Sequence, residues 1–209
     1  MFLSKLLLDR ANHQVRSELA NRYELHRTLT TQFPHAVRDQ IGLLYRIEIP
    51  DGYTYQPITL LVQSQLKPTW ENFEQRGYLV ENPQVKTFDL VFPAGATYNF
   101  RLLANPSKRQ KQADGKGKRV GIYQQEEQLG WLRRKSDQGG FSVMDLKFSD
   151  QGFIKGIKQE DGKTHMIQHL AVQFDGRLQI TDETQFQKTF MNGIGSAKAF
   201  GLGLLSLAR

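Results

Sequence analysis

An α+β fold of two tandem βαββαβ units is predicted for this 209-residue chain by three observations. Predicted elements run strand, helix, strand, strand, helix, strand, and the same order then recurs. One stretch near the middle, FPAGAT (92–97), is the only one that reads as a linker. The composition, 39% hydrophobic, 23% charged and 11% aromatic, belongs to a chain that buries a core rather than to a disordered one.

FLSKLLL (2–8) is a short apolar run suited to a buried strand. Asn21 reads as a helix N-cap, with Glu24 three residues on completing a capping box. Leu25 and Leu29 make the apolar stripe of that helix, which is expected to end near Phe33, before Pro34. IGLLYRIEI (41–49) and PITLLVQS (57–64) read as strands joined by a Pro-Asp-Gly turn. TWENFEQRG (69–77) has a Thr cap and a terminal glycine, the marks of a second helix, and VKTFDLVF (85–92) alternates as a strand.

NFRLLANP (99–106) opens the second unit as a strand and leads into a basic loop, SKRQKQADGKGKR. EEQLGWLRRK (126–135) is a helix, and FSVMDLKF (141–148), GFIKGIK (152–158) and HMIQHLAVQF (165–174) are strands separated by glycine-containing turns, with GRLQI (176–180) extending them. TDETQFQKTF (181–190) is a capped helix and LGLLSLA (202–208) a closing strand. This order is the split βαβ, or ferredoxin-like, unit. The expected domains are 1–92 and 97–209, the second with an added β-hairpin and a C-terminal glycine-rich loop.

The charge is localised. Net charge is +7, and the segment from Arg101 to Lys135 holds ten Lys and Arg against Asp114, Glu126 and Glu127, so the remainder is neutral. A basic excess confined to one segment is a footprint for phosphate, whereas lysines placed for solubility would be scattered. There are no cysteines, which excludes disulfides and thiolate metal sites and fits a reducing compartment, the cytoplasm. MFLSKLLLDR carries Lys5 inside its apolar run and no small-residue cleavage site, so it reads as a strand rather than a signal peptide or membrane span.

The C-terminal MNGIGSAKAFGLGLLSLAR places Gly193, Gly195, Gly201 and Gly203 in two pairs around Lys198. G-I-G-S-A-K does not complete G-x-G-x-x-G, and it follows a helix instead of opening one, so it is no dinucleotide site. Spacing alone leaves two readings, a helix cap with a tight turn, or bare amides that a phosphate backbone can approach.

In NRYELHRTL (21–29), Tyr23 and His26 are neighbours at i, i+3, flanked by Arg22 and Arg27, on the side opposite Leu25 and Leu29. The segment is either an exposed helix face or a proton-transfer site. Histidine titrates near neutrality, and tyrosine serves better as a hydrogen-bond donor than as a base. His165 and His169 are spaced for zinc on a helix but lie in a strand pattern without a third ligand; His13 and His35 look like loop residues. No metal site and no cofactor motif is expected.

Four stretches together resemble the CRISPR RNA-processing endoribonucleases of the RAMP superfamily, and within them the CasE type of the type I-E Cascade complex. They are F-L-S-K-L-L-L (2–8), Y-E-L-H-R-T-L (23–29), F-R-L-L-A-N-P-S-K-R (100–109) and G-I-G-S-A-K-A-F-G-L-G-L-L-S-L (193–207). The resemblance spans the chain in order. It implies metal-independent cleavage of precursor CRISPR RNA at the 3′ base of the repeat hairpin, by 2′-hydroxyl attack that leaves a 2′,3′-cyclic phosphate. It implies retention of the mature guide beside other Cascade subunits.

By motif position His26 transfers the proton and Tyr23 is its hydroxyl partner. Arg27, with Lys155 and Lys158 on the second-domain hairpin, would clamp the RNA. The stem would be held by Arg101, Lys108, Arg109, Lys111, Lys118 and Arg119, and by the glycine loop with Lys198. The competing reading is a non-catalytic RNA-binding subunit, which needs the basic segment and glycines but not Tyr23 and His26.

Overall fold

The structure, a computed structural model, describes residues 1–33, 37–50, 56–71, 73, 77–111, 117–160 and 163–209. In chain order the elements are β1 (Phe2–Leu8), α1 (His13–Ala20), α2 (Arg22–Thr30), α3 (Arg38–Ile41), β2 (Leu44–Glu48), β3 (Ile58–Ser64), β4 (Gln84–Thr87), β5 (Thr97–Ala104), β6 (Ser107–Lys111) and β7 (Gly117–Gly121). Then follow α4 (Gln125–Gln138), β8 (Phe141–Glu160), β9 (Lys163–Ile180), α5 (Glu183–Asn192), a 3-10 turn at Lys198–Phe200, and β10 (Leu205–Ala208).

Two four-stranded antiparallel sheets run β2-β3-β1-β4 and β10-β5-β9-β8. In each, the first and third strands of the repeating unit lie in the centre, the order of tandem ferredoxin-like folds. Register in the first sheet follows the apolar pattern: Leu6 pairs with Leu60 and Leu8 with Ile58, which sends alternate side chains into one core. By their contacts the residues fall into two units. The first holds Met1–Leu90 with Lys155–Gln168 and Ala199–Gly201; the second holds Val91–Ile154, His169–Lys198 and Leu202–Arg209.

The core of the first unit gathers Leu6, Leu8, Leu25, Leu29, Tyr45, Trp70 and Phe73. Leu25 and Leu29 are the i, i+4 stripe of α2, and both are fully buried. The second unit packs aromatics: Trp131 stacks on Phe174 at 6.2 Å, and Phe186 meets Phe92 and Phe141 edge-on at 5.0 and 5.7 Å.

Several sequence expectations are corrected. The first helical region is two helices meeting at Asn21, and the cap of α1 is Asn12, whose side chain accepts from Gln14 N and Val15 N. Asn21 makes no side-chain cap bond, so there is no capping box there. The basic stretch expected as a loop forms the β6–β7 hairpin, and this is the inserted hairpin of the second unit. The strands expected at 141–148 and 152–158, and at 165–174 and 176–180, are two continuous strands of 20 and 18 residues.

Residues 51–55 of the connection that begins at the Pro-Asp-Gly turn, much of the expected 69–77 helix (72 and 74–76), His35, residues 112–116 of the basic stretch, and the Lys111 side chain lie outside the described residues.

Candidate active site and nucleic-acid interface

Helix α2 carries Tyr23 and His26 within the first unit, and three contacts fix it there. Asn21, at its start, faces the backbone of β8: its Oδ1 accepts from Ile157 N at 2.9 Å and its Nδ2 donates to Ile157 O at 3.3 Å. Such a two-way pairing with the N–H and C=O of one residue fixes position along the strand as well as distance. Next to Ile157, Gly156 is buried where a Cβ would stand 2.5 Å from the Phe200 ring and 3.2 Å from Tyr23 Cβ. The strand therefore comes against α2 closely enough to exclude a side chain at 156, and it brings exposed Lys155 and half-buried Lys158 to the helix start.

The third contact is Tyr45, fully buried on β2. Its ring lies 6.3 Å from that of His26 at an interplanar angle of 19°. Its hydroxyl sits 3.1 Å from Arg22 O and 2.9 Å from Ala199 O. Tyr23 and His26 are half-buried on α2. Arg27 is 61% exposed and pairs with Glu24 at 3.0 Å, a surface ion pair that an incoming phosphate exchanges at small cost.

Arg22 does not share that exposed edge. Its Nη1 is buried without a hydrogen-bond partner among the described residues, and desolvation lowers the guanidinium pKa, partly offset by Tyr45 and Tyr78. The expected cluster of two exposed arginines beside Tyr23 and His26 thus reduces to one, Arg27.

The second unit carries an open groove of about 570 Å³ whose lining includes Lys108, Arg109, Arg119, Arg134 and Lys135. Its floor includes Ser107, Gly195, Ser196 and Trp131, so the basic hairpin and the first glycine pair meet at one place. Arg119 Nη1 donates to Ser107 Oγ at 3.3 Å, and Ser107 Oγ lies 3.2 Å from Ser196 Oγ. Lys108 is paired with Glu127 at 2.6 Å. Arg109 and Arg119 are direct cross-strand partners in the hairpin.

Lys198, half-buried, has its pKa lowered, first by desolvation and then by repulsion from Lys135. Lys118 is exposed on β7, and Arg101 is held by Asp175 at 2.7 Å across the β5–β9 register, apart from the groove lining. Sequence reasoning did not select Arg134 and Lys135 as site residues, although both belong to the basic segment; they are on the last turns of α4, one helix away from the hairpin.

The glycines divide. Gly193 ends α5 at φ +71, donating its N–H to Thr189 O at 2.8 Å. Gly195 lies in the groove, whereas Gly201 and Gly203 are buried against protein. Of the histidines, His169 faces Asn105 Nδ2 at 3.1 Å and His165 is exposed. Among the described residues no three His, Cys, Asp or Glu side chains gather into a metal-binding group, and no helix is long and apolar enough to cross a membrane.

These features define a tandem ferredoxin-like protein with a basic groove in one unit and a histidine–tyrosine helix in the other. The family described as "CRISPR associated protein" matches residues 1–209, and the chain belongs to that family. It is 35% identical to the CRISPR-associated endoribonuclease Cse3 of Thermus thermophilus over 217 residues, covering all of both chains. It is 33% identical to the CRISPR system Cascade subunit CasE of Escherichia coli K12 over 221 residues, covering 100% of this chain and 99% of that one. Among solved structures, Thermus thermophilus Cse3 bound to an RNA representing a pre-cleavage complex superposes with a TM-score of 0.84 at 34% identity, covering 100% and 98% of the two chains.

Proposed function

We propose that the protein is a metal-independent endoribonuclease that cleaves precursor CRISPR RNA at the 3′ base of the repeat hairpin and stays on the guide within Cascade, in the cytoplasm. The observation that carries this reading is the full-length likeness to an endoribonuclease solved with pre-cleavage RNA, together with a helix that presents Tyr23 and His26 side by side. The likeness to the Cascade subunit CasE supports the assembly.

The reaction needs two proton transfers. The ribose 2′-hydroxyl loses its proton as its oxygen bonds to phosphorus, and the P–O5′ bond breaks as the departing oxygen gains a proton. The products are a 2′,3′-cyclic phosphate and a 5′-hydroxyl. His26 serves one transfer, because an imidazole near neutrality suits either direction, and Tyr23 supplies the hydroxyl partner. Arg27, Lys155 and Lys158 neutralise the phosphate as charge builds on it.

The hairpin stem is held by the groove cations Lys108, Arg109 and Arg119, with Lys111 and Lys118 on the same hairpin, Arg101 on the neighbouring sheet, and Lys198. A-form RNA hides its major-groove edges, so this grip reads phosphates and shape. Gly195 brings backbone to the groove and Gly193 turns the chain from α5 toward it, while Gly201 and Gly203 act on RNA through the path of the loop. One acid–base group contributes only about 10²–10⁴-fold, so slow, near single-turnover cleavage with tight product retention is expected.

The decisive experiment is His26→Ala on the cognate repeat hairpin in the presence of EDTA. Wild-type cleavage persisting in EDTA, and its loss in His26→Ala with binding intact, supports the enzyme. Unchanged cleavage in the variant removes His26 from the mechanism; absence of cleavage by both proteins with and without EDTA leaves an RNA-binding subunit, and cleavage lost only in EDTA makes the nuclease metal-dependent.

A further inference from the structure

The geometry points to Tyr45 as the residue that positions His26, with its hydroxyl transmitting the conformation of the Ala199–Gly201 turn to helix α2. This rests on the reading of His26 as the proton-transfer residue. Tyr45 comes from the sheet, not from the helix or the glycine turn, and it touches both. Its ring stacks on the imidazole at 6.3 Å and 19°, within the range of attractive offset stacking. Its hydroxyl lies on Arg22 O, and in an α-helix the carbonyl of residue 22 is the one that receives the amide of residue 26. The phenol therefore reaches His26 twice, through its ring and through the first turn beneath it.

The same hydroxyl lies 2.9 Å from Ala199 O, so one proton is shared between two carbonyls from opposite ends of the chain. Gly201, at φ +81, lies against the ring: a Cβ there would stand 2.8 Å from Tyr45 Cε2. The second glycine pair is thus tied to the active helix by a contact that only glycine allows. Burial raises the phenol pKa, so Tyr45 remains a donor throughout the working pH range. Tyr45 is fully buried, which separates it from Tyr23, the phenol presented on the helix itself. It acts through His26 rather than on the substrate.

The test compares Tyr45→Leu, which removes ring and hydroxyl, with Tyr45→Phe, which keeps the ring. Single-turnover cleavage of the cognate hairpin is measured at saturating enzyme across pH, with the dissociation constant for the hairpin determined separately. For Tyr45→Leu the rate is expected to fall at least tenfold, with the His26-dependent limb of the pH–rate profile displaced and affinity within twofold of wild type. Tyr45→Phe restores the limb and most of the rate, leaving a deficit of about threefold from the lost hydroxyl ties.

A wild-type rate and profile in Tyr45→Leu overturns the proposal, as does a loss of affinity that accounts for the rate. If circular dichroism shows that Tyr45→Leu does not fold, Tyr45→Phe decides: a rate and profile indistinguishable from wild type overturns it. His26→Ala is run beside them. If that variant cleaves normally, the reading of His26 fails; if it is inactive and the Tyr45 variants are normal, only the inference about Tyr45 fails.

Discussion

Arg109 and Arg119 stand directly opposite each other in the β6–β7 hairpin and line the same groove. Like charges at directly paired positions destabilise a ladder, so the hairpin keeps this pair at a cost that only an anion relieves. Replacing either with Gln is expected to hold or raise the melting temperature of the free protein while weakening hairpin RNA binding. The log–log salt dependence of binding should flatten by about one unit per arginine removed. Filter binding at several salt concentrations, beside thermal melts, checks both; unchanged affinity would place the RNA elsewhere.

Lys198 makes a pH prediction whose sign is fixed by burial. Its folded pKa lies below the unfolded value of 10.5. Between those two values the unfolded chain binds more protons, so the free protein gains stability as pH rises through that window. Below the window the burial penalty is present in full, and Lys198→Met is expected to melt higher than wild type at neutral pH. A bound phosphate favours the charged amine, so RNA binding takes up protons within the window and weakens as pH climbs. Melts from pH 7 to 10 and calorimetry in buffers of different ionisation enthalpy check this, with an affinity loss of about tenfold expected for Lys198→Met at pH 7.

Asn21→Ala removes both bonds to Ile157 and should cost about 1–3 kcal/mol, near one per lost bond with a further share for the peptide groups left behind. Cleavage should fall with it, because Tyr23 loses the strand against which α2 is set. Urea unfolding and single-turnover rates provide the comparison; Asn21→Asp, which keeps only the acceptor to Ile157 N, should lie between.

Gly203 sits at φ +95 with its N–H donating to Leu103 O at 2.7 Å, and its carbonyl accepts from Ile194 N at 2.9 Å. A Cβ there would stand 2.8 Å from Ile194 O, which is backbone and does not yield. Gly203→Ala is therefore expected to destabilise by about 2 kcal/mol or more, from strain and clash together, with RNA affinity of the folded fraction little changed. A proportional loss of affinity would move Gly203 from shaping the loop to touching the RNA.

The strongly patterned elements were legible from sequence: β1 and β3 as apolar runs, and α5 as a capped helix, whose cap is Asp182. Helix α1 was not, because one of its two buried positions is Glu18, bound by Gln14, Thr28 and Tyr78, so the apolar stripe is broken by a satisfied carboxylate. In β8, Ser-Asp-Gln-Gly carries the composition of a turn. Asp150 Oδ1 does accept from Gly152 N at 2.7 Å with Gly152 at φ +75, yet the strand runs on through it, a local kink rather than a reversal. The basic hairpin lacks apolar alternation on either arm, and pairing alone makes it a sheet.

Tyr23 and His26 could be proposed as a pair from the sequence because their spacing on one helix is local. Tyr45, Asn21–Ile157 and the meeting of Arg134 and Lys135 with the hairpin join residues that are distant along the chain, so periodicity has no access to them. Asn21 does stand at the N-cap position of α2, as its residue type suggests, but its amide side chain is spent on the neighbouring strand instead of on the helix.

The first unit's make-up also bears on the order in which the protein can be made. Its sheet and helices come from the first 90 residues, yet it also includes 155–168 and 199–201. A ribosome adding about 5–20 residues each second delivers that last segment many seconds after the first sheet can form. Asn21 has no Ile157 until the first of these segments is made, and Tyr45 no Ala199 until the second. The nascent chain therefore carries Tyr23 and His26 on a helix that lacks its full set of neighbours until residue 201 is joined, a built-in delay between synthesis and competence.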